Sequence, residues 1–343
     1  MNKMKAIGFS RSLPLTDPES LIDLELEKPT PQGRDLLVKV KAISVNPVDV
    51  KVRASKPRAE HSAHVIGWDA AGIVEAVGPD CTLFEPGDQV YYAGDLTRPG
   101  TNSEYHLIDE RIVGRKPARL DFAEAAALPL TTLTAWEGIF DRLGISQHLE
   151  RNQGKSILII GAAGGVGSIA TQLAKWAGLT VIGTASRPES QQWVRDHGAD
   201  QVVDYRQSFV DQLKLLGFET VDFILCLNSA SLGKQWKDIV QVIAPQGKIC
   251  NIDELDSEVD LAALKSKSAT YVWEFMFTRS MYQTADMIEQ HRLLNMVADL
   301  VDAGKIQTTL TKRLSPITAA NLRKAHELVE KGTMIGKVVL EQF

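Results

Sequence analysis

The stretch SILIIGAAGGVG, Ser156 to Gly167, decides the fold. Its first five residues are a continuous apolar run, the pattern of a strand buried on both faces of a parallel sheet. Gly161-Ala-Ala-Gly-Gly-Val-Gly167 follows at once, and apolar residues then recur at helical spacing from Val166 to Gly178. A glycine-rich turn between a buried strand and a helix is the local pattern of a dinucleotide site. Gly164 leaves room for a pyrophosphate to approach the backbone, and Gly167 lets the helix pack closely on the strand. The free N–H groups of the first helical turn then face the phosphates, with the helix dipole in favour. The expected contacts are Gly161, Ala163, Gly164, Gly165, Val166 and Gly167. Ala162 departs from the usual pattern, because it stands where the first glycine of Gly-x-Gly-x-x-Gly would be. The bland alternative is a tight strand-to-helix turn that holds no ligand.

Downstream, strands alternate with helices. Strands are expected at Thr180–Thr184, Gln201–Asp204, Val221–Leu227 and Gly247–Ile252, with a helix at Pro188–Asp196. This is the pattern of βαβ units and a doubly wound α/β sheet. An acid at the end of the second strand would hold the ribose hydroxyls of NAD. The chain instead reads Gly183-Thr-Ala-Ser-Arg187. Ser186 and Arg187 offer a hydroxyl and a guanidinium to a 2′-phosphate, and Tyr205 adds a hydroxyl at the same edge. NADPH is therefore the expected cofactor. The alternative for Arg187 is a solvated loop charge.

Upstream of residue 129 the texture differs. Leu36–Ile43 alternates in part, as a half-buried strand does, and Ala71–Val77 and Gln89–Tyr92 are further short strands. Turn residues at Gly78-Pro-Asp80 and Glu85-Pro-Gly-Asp88 separate them. A small antiparallel barrel or sandwich is expected. After residue 277 come helices at Ala285–Asp302 and Ala319–Glu330 and a last strand at Gly336–Leu340, which is expected to return to the first domain. The reading is two domains, residues 1–128 with 278–343, and residues 129–277. A length of 343 residues suits two cores better than one.

Composition narrows the function. Apolar residues at 44% and charged residues at 24% describe an ordinary folded chain. A net charge of −5 argues against nucleic acid and anionic membrane surfaces as partners. Cys81, Cys226 and Cys250 are far apart, so neither a disulfide framework nor a cysteine-built zinc cluster is expected. The apolar runs Ile157–Ile160 and Phe223–Leu227 are too short to span a bilayer. Met1–Ser10 lacks the long apolar core of a secretory leader, so a cytoplasmic location is expected.

The segment Gly154 to Lys175 resembles the signature of quinone oxidoreductases in the medium-chain dehydrogenase/reductase superfamily. Ser44-Val-Asn-Pro-Val-Asp49, Gly67-Trp-Asp-Ala-Ala-Gly72, Glu85-Pro-Gly-Asp88 and Gly336-Lys-Val-Val-Leu340 are similar to that family's landmarks, in its order. The resemblance implies a GroES-like β-barrel substrate domain beside a Rossmann domain, NADPH dependence and a homodimer. Sequences of this kind carry the name zinc-type alcohol dehydrogenase, but the ligands expected of a zinc enzyme are missing. Asn46, Trp68 and Leu130 stand at or near those places, and the clustered cysteines of a structural zinc lobe are absent between Tyr92 and Arg115. No bound metal is expected. His61, His64 and Asp69 could form an improvised set, but surface or supporting roles suit them better.

Hydride transfer to a quinone or other enone follows, because such acceptors spread charge to a remote oxygen without a Lewis acid. The resemblance puts Asn46 at the nicotinamide-ribose side, where the alternative is a loop residue capping local backbone. Trp68 and Tyr92 are pocket residues or core aromatics, with Tyr92 a possible proton donor. Asn228 is a nicotinamide-side candidate, and Lys337 a residue near the cofactor phosphates. The run Tyr271–Phe277 is read as core or dimer interface, with a pocket lid second. Two other functions stay open: a zinc alcohol dehydrogenase, and a dinucleotide-binding protein without turnover.

Overall fold

The computed structural model describes residues 3–55, 63–228, 232–255 and 257–343. The chain divides into two compact units, Thr131–Met276 and the combination of Met1–Leu130 with Phe277–Phe343.

The Thr131–Met276 unit is built on a six-stranded parallel sheet. Its strands lie in the order Gln201–Val203, Thr180–Thr184, Ser156–Ile160, Val221–Cys226, Ile243–Asn251 and Thr270–Trp273. Every residue of Ser156–Ile160 is buried, as its uninterrupted apolar run requires in the middle of such a sheet. Leu158 and Ile160 join Ile182, Ile224 and Ile249 in one core, closed by Phe209, Leu213 and Trp236 from the helices Phe209–Leu215 and Leu232–Val242. The helix Gly165–Trp176 buries Ile169, Ala170, Leu173 and Ala174. The strand order reverses between Ser156–Ile160 and Val221–Cys226. Their carboxyl ends therefore form the switch point at which doubly wound sheets bind ligands. The run Tyr271–Phe277 gives the edge strand Thr270–Trp273. Trp273 and Phe275 stay about half exposed, while Met276 and Phe277 are buried.

The other unit carries a mixed sheet whose path runs Leu310–Leu314, Lys337–Glu341, Asp35–Ser44, Ala70–Val77, Gln89–Tyr92 and Val113–Arg115. Asp35–Ser44 is buried along most of its length rather than on alternate residues, because it also pairs with Tyr105–Asp109. A three-stranded sheet of Ile22–Glu27, Lys3–Phe9 and His64–Val65 completes the unit. The last strand does return. Val339 and Leu340 pair antiparallel with Ser44 and Ile43. That pairing carries Lys337 to Val45 and Asn46, almost 300 residues away in sequence.

Candidate functional site

In the parallel-sheet unit, Gly161 leaves its strand with φ +91°, a conformation that L side chains resist. Its N–H donates to the Thr184 hydroxyl at 3.0 Å, which ties the turn to the neighbouring strand. Gly167 is a packing glycine. A methyl group there would lie 2.3 Å from the Gly161 carbonyl oxygen. Gly164 is different, because a methyl group there would meet only the Gly161 oxygen, at an ordinary 3.6 Å. The protein therefore has room for a side chain at 164 and does not use it. Gly164 is also the N-cap of Gly165–Trp176, and no side chain caps that helix. Ala163, Gly165 and Val166 remain partly exposed beside it. An uncapped helix start behind a vacated side-chain position suits a pyrophosphate. Asn228 is exposed at the end of Val221–Cys226. Its Cβ would lie 3.6 Å from a methyl group built on Gly161, so it stands at the switch point.

The edge beyond Thr180–Thr184 gathers more residues than sequence reading found. The Ser186 hydroxyl donates to the Tyr205 hydroxyl at 2.9 Å. Arg206 donates to the Ser186 carbonyl oxygen at 2.9 Å and grips Asp204 through its Nε and Nη2. That grip holds the Asp204 carboxyl below its ordinary range. Asp204, just after the third strand, is thus an acid at this edge, and it is paired with Arg206. Arg187 lies 3.4 Å from Glu189, a partner that its position in the sequence did not suggest. Arg206 was missed because its part depends on two loops meeting, although a basic residue directly after Tyr205 was a visible signal.

In the other unit, a buried polar centre forms around Asp69. Its Oδ1 accepts the Leu130 N–H at 2.8 Å. Its Oδ2 accepts from the Asn46 amide at 2.8 Å and from the Lys337 ammonium at 3.1 Å. Lys337 also donates to the Val45 carbonyl oxygen at 3.1 Å and to Asn46 Oδ1. Asn46, Asp69 and Lys337 are all buried. Asp49 accepts the Asn46 N–H at 2.7 Å through Oδ2, while its buried Oδ1 has no hydrogen-bond partner. Burial pushes the Asp49 carboxyl up to about 7 against the pull of that N–H and of Lys337. Burial also raises Asp69, again opposed by Lys337 and Asn46.

These contacts show where four of the expected site residues, Lys337, Asn46, Tyr92 and Trp68, are engaged within their own unit. Lys337, expected near the cofactor phosphates, is engaged inside its unit: its ammonium has three N–H donors, and three internal acceptors take them. Asn46 is not a free amide, since Oδ1 and Nδ2 are both engaged inside the unit. Tyr92 has no exposed surface, its hydroxyl lies 3.2 Å from His106 Nδ1, and burial raises its pKa. That burial suits the core alternative. Trp68 likewise is core: it is buried, donates to the Asp95 carbonyl oxygen at 3.2 Å and meets Phe277 edge-on at 6.3 Å.

The donor set does not fit a metal. Among the described residues, no three His, Cys, Asp or Glu side chains come together to hold one. The positions where zinc ligands were sought, 46, 68 and 130, present an amide, an indole and an aliphatic side chain. Asp69 is saturated by N–H donors. His64 stacks edge-on against Phe9, and His61 lies outside the described residues.

A doubly wound sheet with a glycine turn, carried with a second β unit, defines a dinucleotide-type oxidoreductase. Comparison with known proteins makes the class specific. The family model described as alcohol dehydrogenase GroES-like domain matches residues 32–129, and that described as zinc-binding dehydrogenase matches 197–340. The chain is 45% identical over 337 residues to a zinc-type alcohol dehydrogenase-like protein of Staphylococcus aureus, covering 98% of this chain and 99% of that one. A putative zinc-dependent alcohol dehydrogenase from Rhizobium etli superposes with TM-score 0.94 at 54% identity, covering 100% and 99% of the two chains. The Escherichia coli quinone oxidoreductase complexed with NADPH superposes with TM-score 0.79 at 25% identity, covering 98% and 99%. The chain belongs to the medium-chain dehydrogenase/reductase superfamily and is an oxidoreductase of that family.

Proposed function

We propose that this protein is an NADPH-dependent reductase of quinones or other α,β-unsaturated carbonyls that works without a catalytic metal. The observation that carries the cofactor reading is the Ser186–Tyr205–Arg206 edge, where hydroxyls and a guanidinium from two loops meet near the glycine turn. The Escherichia coli neighbour, a quinone oxidoreductase complexed with NADPH, supports the same reading.

When bound, NADPH supplies the hydride. The chain's own residues bind and orient. The uncapped start of Gly165–Trp176 takes the pyrophosphate, and Gly164 leaves the space for it. Ser186, Tyr205 and Arg206 take the 2′-phosphate, with Arg187 adding charge when it leaves Glu189. Asn228 orients the nicotinamide side. The zinc names of the relatives suggest a Lewis acid, but positions 46, 68 and 130 offer no ligand set for it. Conjugated acceptors need that help least.

We also propose a homodimer joined at the open edge strand Thr270–Trp273, where Trp273 and Phe275 are half exposed. A cytoplasmic location belongs to the same proposal; among the described residues, no helix is long and apolar enough to cross a membrane.

The test is steady-state reduction of a panel of quinones, enones and simple aldehydes, with NADPH and NADH, with and without chelator. NADPH-preferring reduction of conjugated acceptors, insensitive to chelator, is expected. Chelator-sensitive oxidation of simple alcohols would sink the proposal.

A further inference from the structure

We infer that the ammonium of Lys337 is the resident cation of the Asp69 centre, a charge supplied by the chain itself beside the positions 46, 68 and 130 where zinc ligands were sought.

Positions 46, 68 and 130 are far apart in sequence, yet they converge on one carboxylate. Asp69 follows Trp68, accepts the side-chain amide of Asn46 and accepts the backbone N–H of Leu130. A buried carboxylate needs a compensating positive charge, and Lys337 is the cation that meets it, at 3.1 Å. The fit is complete on both sides. Each ammonium proton has an acceptor, and both Asp69 oxygens have donors. Because Lys337 donates to one end of the Asn46 amide and Asp69 accepts from the other, the amide is held in a single orientation.

The same arrangement excludes a divalent ion. A protonated amine is no ligand, and it would repel a second cation brought to the same carboxylate. Asp49 also faces this centre, and Oδ1 is the acceptor that it leaves unused. The cation arrives on the C-terminal strand, so its place beside Asp69 depends on the pairing of Lys337–Glu341 with Asp35–Ser44. The inference shares only the metal-free centre with the functional proposal, and its test reads no turnover. A protein that rejects zinc here but reduces no quinone would separate the two.

The test has two arms. Wild-type protein is incubated with excess zinc chloride, desalted and assayed for metal, beside D69N. No stoichiometric zinc, or zinc retained equally by D69N, is expected. One zinc per chain that D69N loses would overturn the inference. In the second arm, urea midpoints are compared for D69N, K337M and the double variant D69N/K337M. Each single change strands a buried partner, so the double variant should unfold at higher urea than D69N. A double variant no more stable than D69N would show that Lys337 is not paired with Asp69 as a cation. That comparison holds even if K337M alone does not fold.

Discussion

Asp69 and Lys337 stand 268 residues apart in the chain and 3.1 Å apart in the fold, both with buried side chains. Removing one partner leaves the other charged and enclosed. Asp69→Ala should therefore lower unfolding stability by about 3–5 kcal/mol. Urea titration followed by fluorescence measures it, and a loss within experimental error would mean the pair is solvated in solution.

Gly164 and Gly167 should separate binding from folding. The methyl group of Gly164→Ala meets only the Gly161 oxygen at 3.6 Å, so its melting temperature should stay near wild type while NADPH affinity falls. Gly167→Ala drives a methyl group into backbone at 2.3 Å and should cost about 1–3 kcal/mol of stability. Calorimetric titration with NADPH and thermal melts of both variants read the contrast. A Gly164→Ala variant that keeps full affinity would remove the pyrophosphate from this turn.

Arg206 should decide between the two nicotinamide cofactors. Arg206→Ala removes a charged donor beside Ser186, and should raise the KM for NADPH roughly tenfold with little change for NADH. Arg187→Ala should move the ratio the same way, since both guanidiniums are paired with a carboxylate, Arg187 with Glu189 and Arg206 with Asp204. Equal effects on both cofactors would place the 2′-phosphate elsewhere.

Glu274 should give the protein a falling stability above neutral pH. It is buried with Glu137, and burial followed by that second carboxyl pushes it up to about 9 from 4.5, opposed by Arg142 at 2.7 Å. The folded state then holds a proton that the unfolded state has released. Stability is full at acidic pH and is lost as pH rises toward about 9. Glu274→Gln keeps the neutral form and should flatten that decline. Denaturation midpoints from pH 5 to 9 test it, and parallel slopes for the two proteins would contradict the shift.

Trp273→Glu places a charge on the half-exposed edge strand. It should shift the protein from dimer to monomer in sedimentation velocity while leaving the fold intact. A dimer unchanged by the substitution would put the interface on another surface.

Much of this was legible in the chain. The continuous run Ser156–Ile160, the turn after it and the helix start at Gly165 follow from periodicity and glycine sterics, which act over a few residues. So did the helices Pro188–Asp196 and Ala319–Glu330. The edge strand Thr270–Trp273 was not, because an apolar run reads alike for core, interface and strand, and only its neighbour Ile243–Asn251 settles which. Arg206 escaped for a related reason: its hydrogen bond to the Ser186 carbonyl depends on two loops meeting, while Asp204 and Glu189 pair with arginines two residues away.

What the sequence alone determined is a doubly wound sheet with a vacated turn for a dinucleotide, because backbone geometry and burial on both faces are written in residue order. It also excluded the ligand set of a zinc enzyme, since an amide, an indole and an aliphatic chain cannot replace thiolates and imidazole. What only the tertiary structure decided is what stands in their place. Lys337 reads in the sequence as a residue near phosphates, and its place beside Asp69 depends on the pairing of its strand with Asp35–Ser44. That pairing buries its ammonium beside Asp69, and a charge so enclosed must find its counter-charge there.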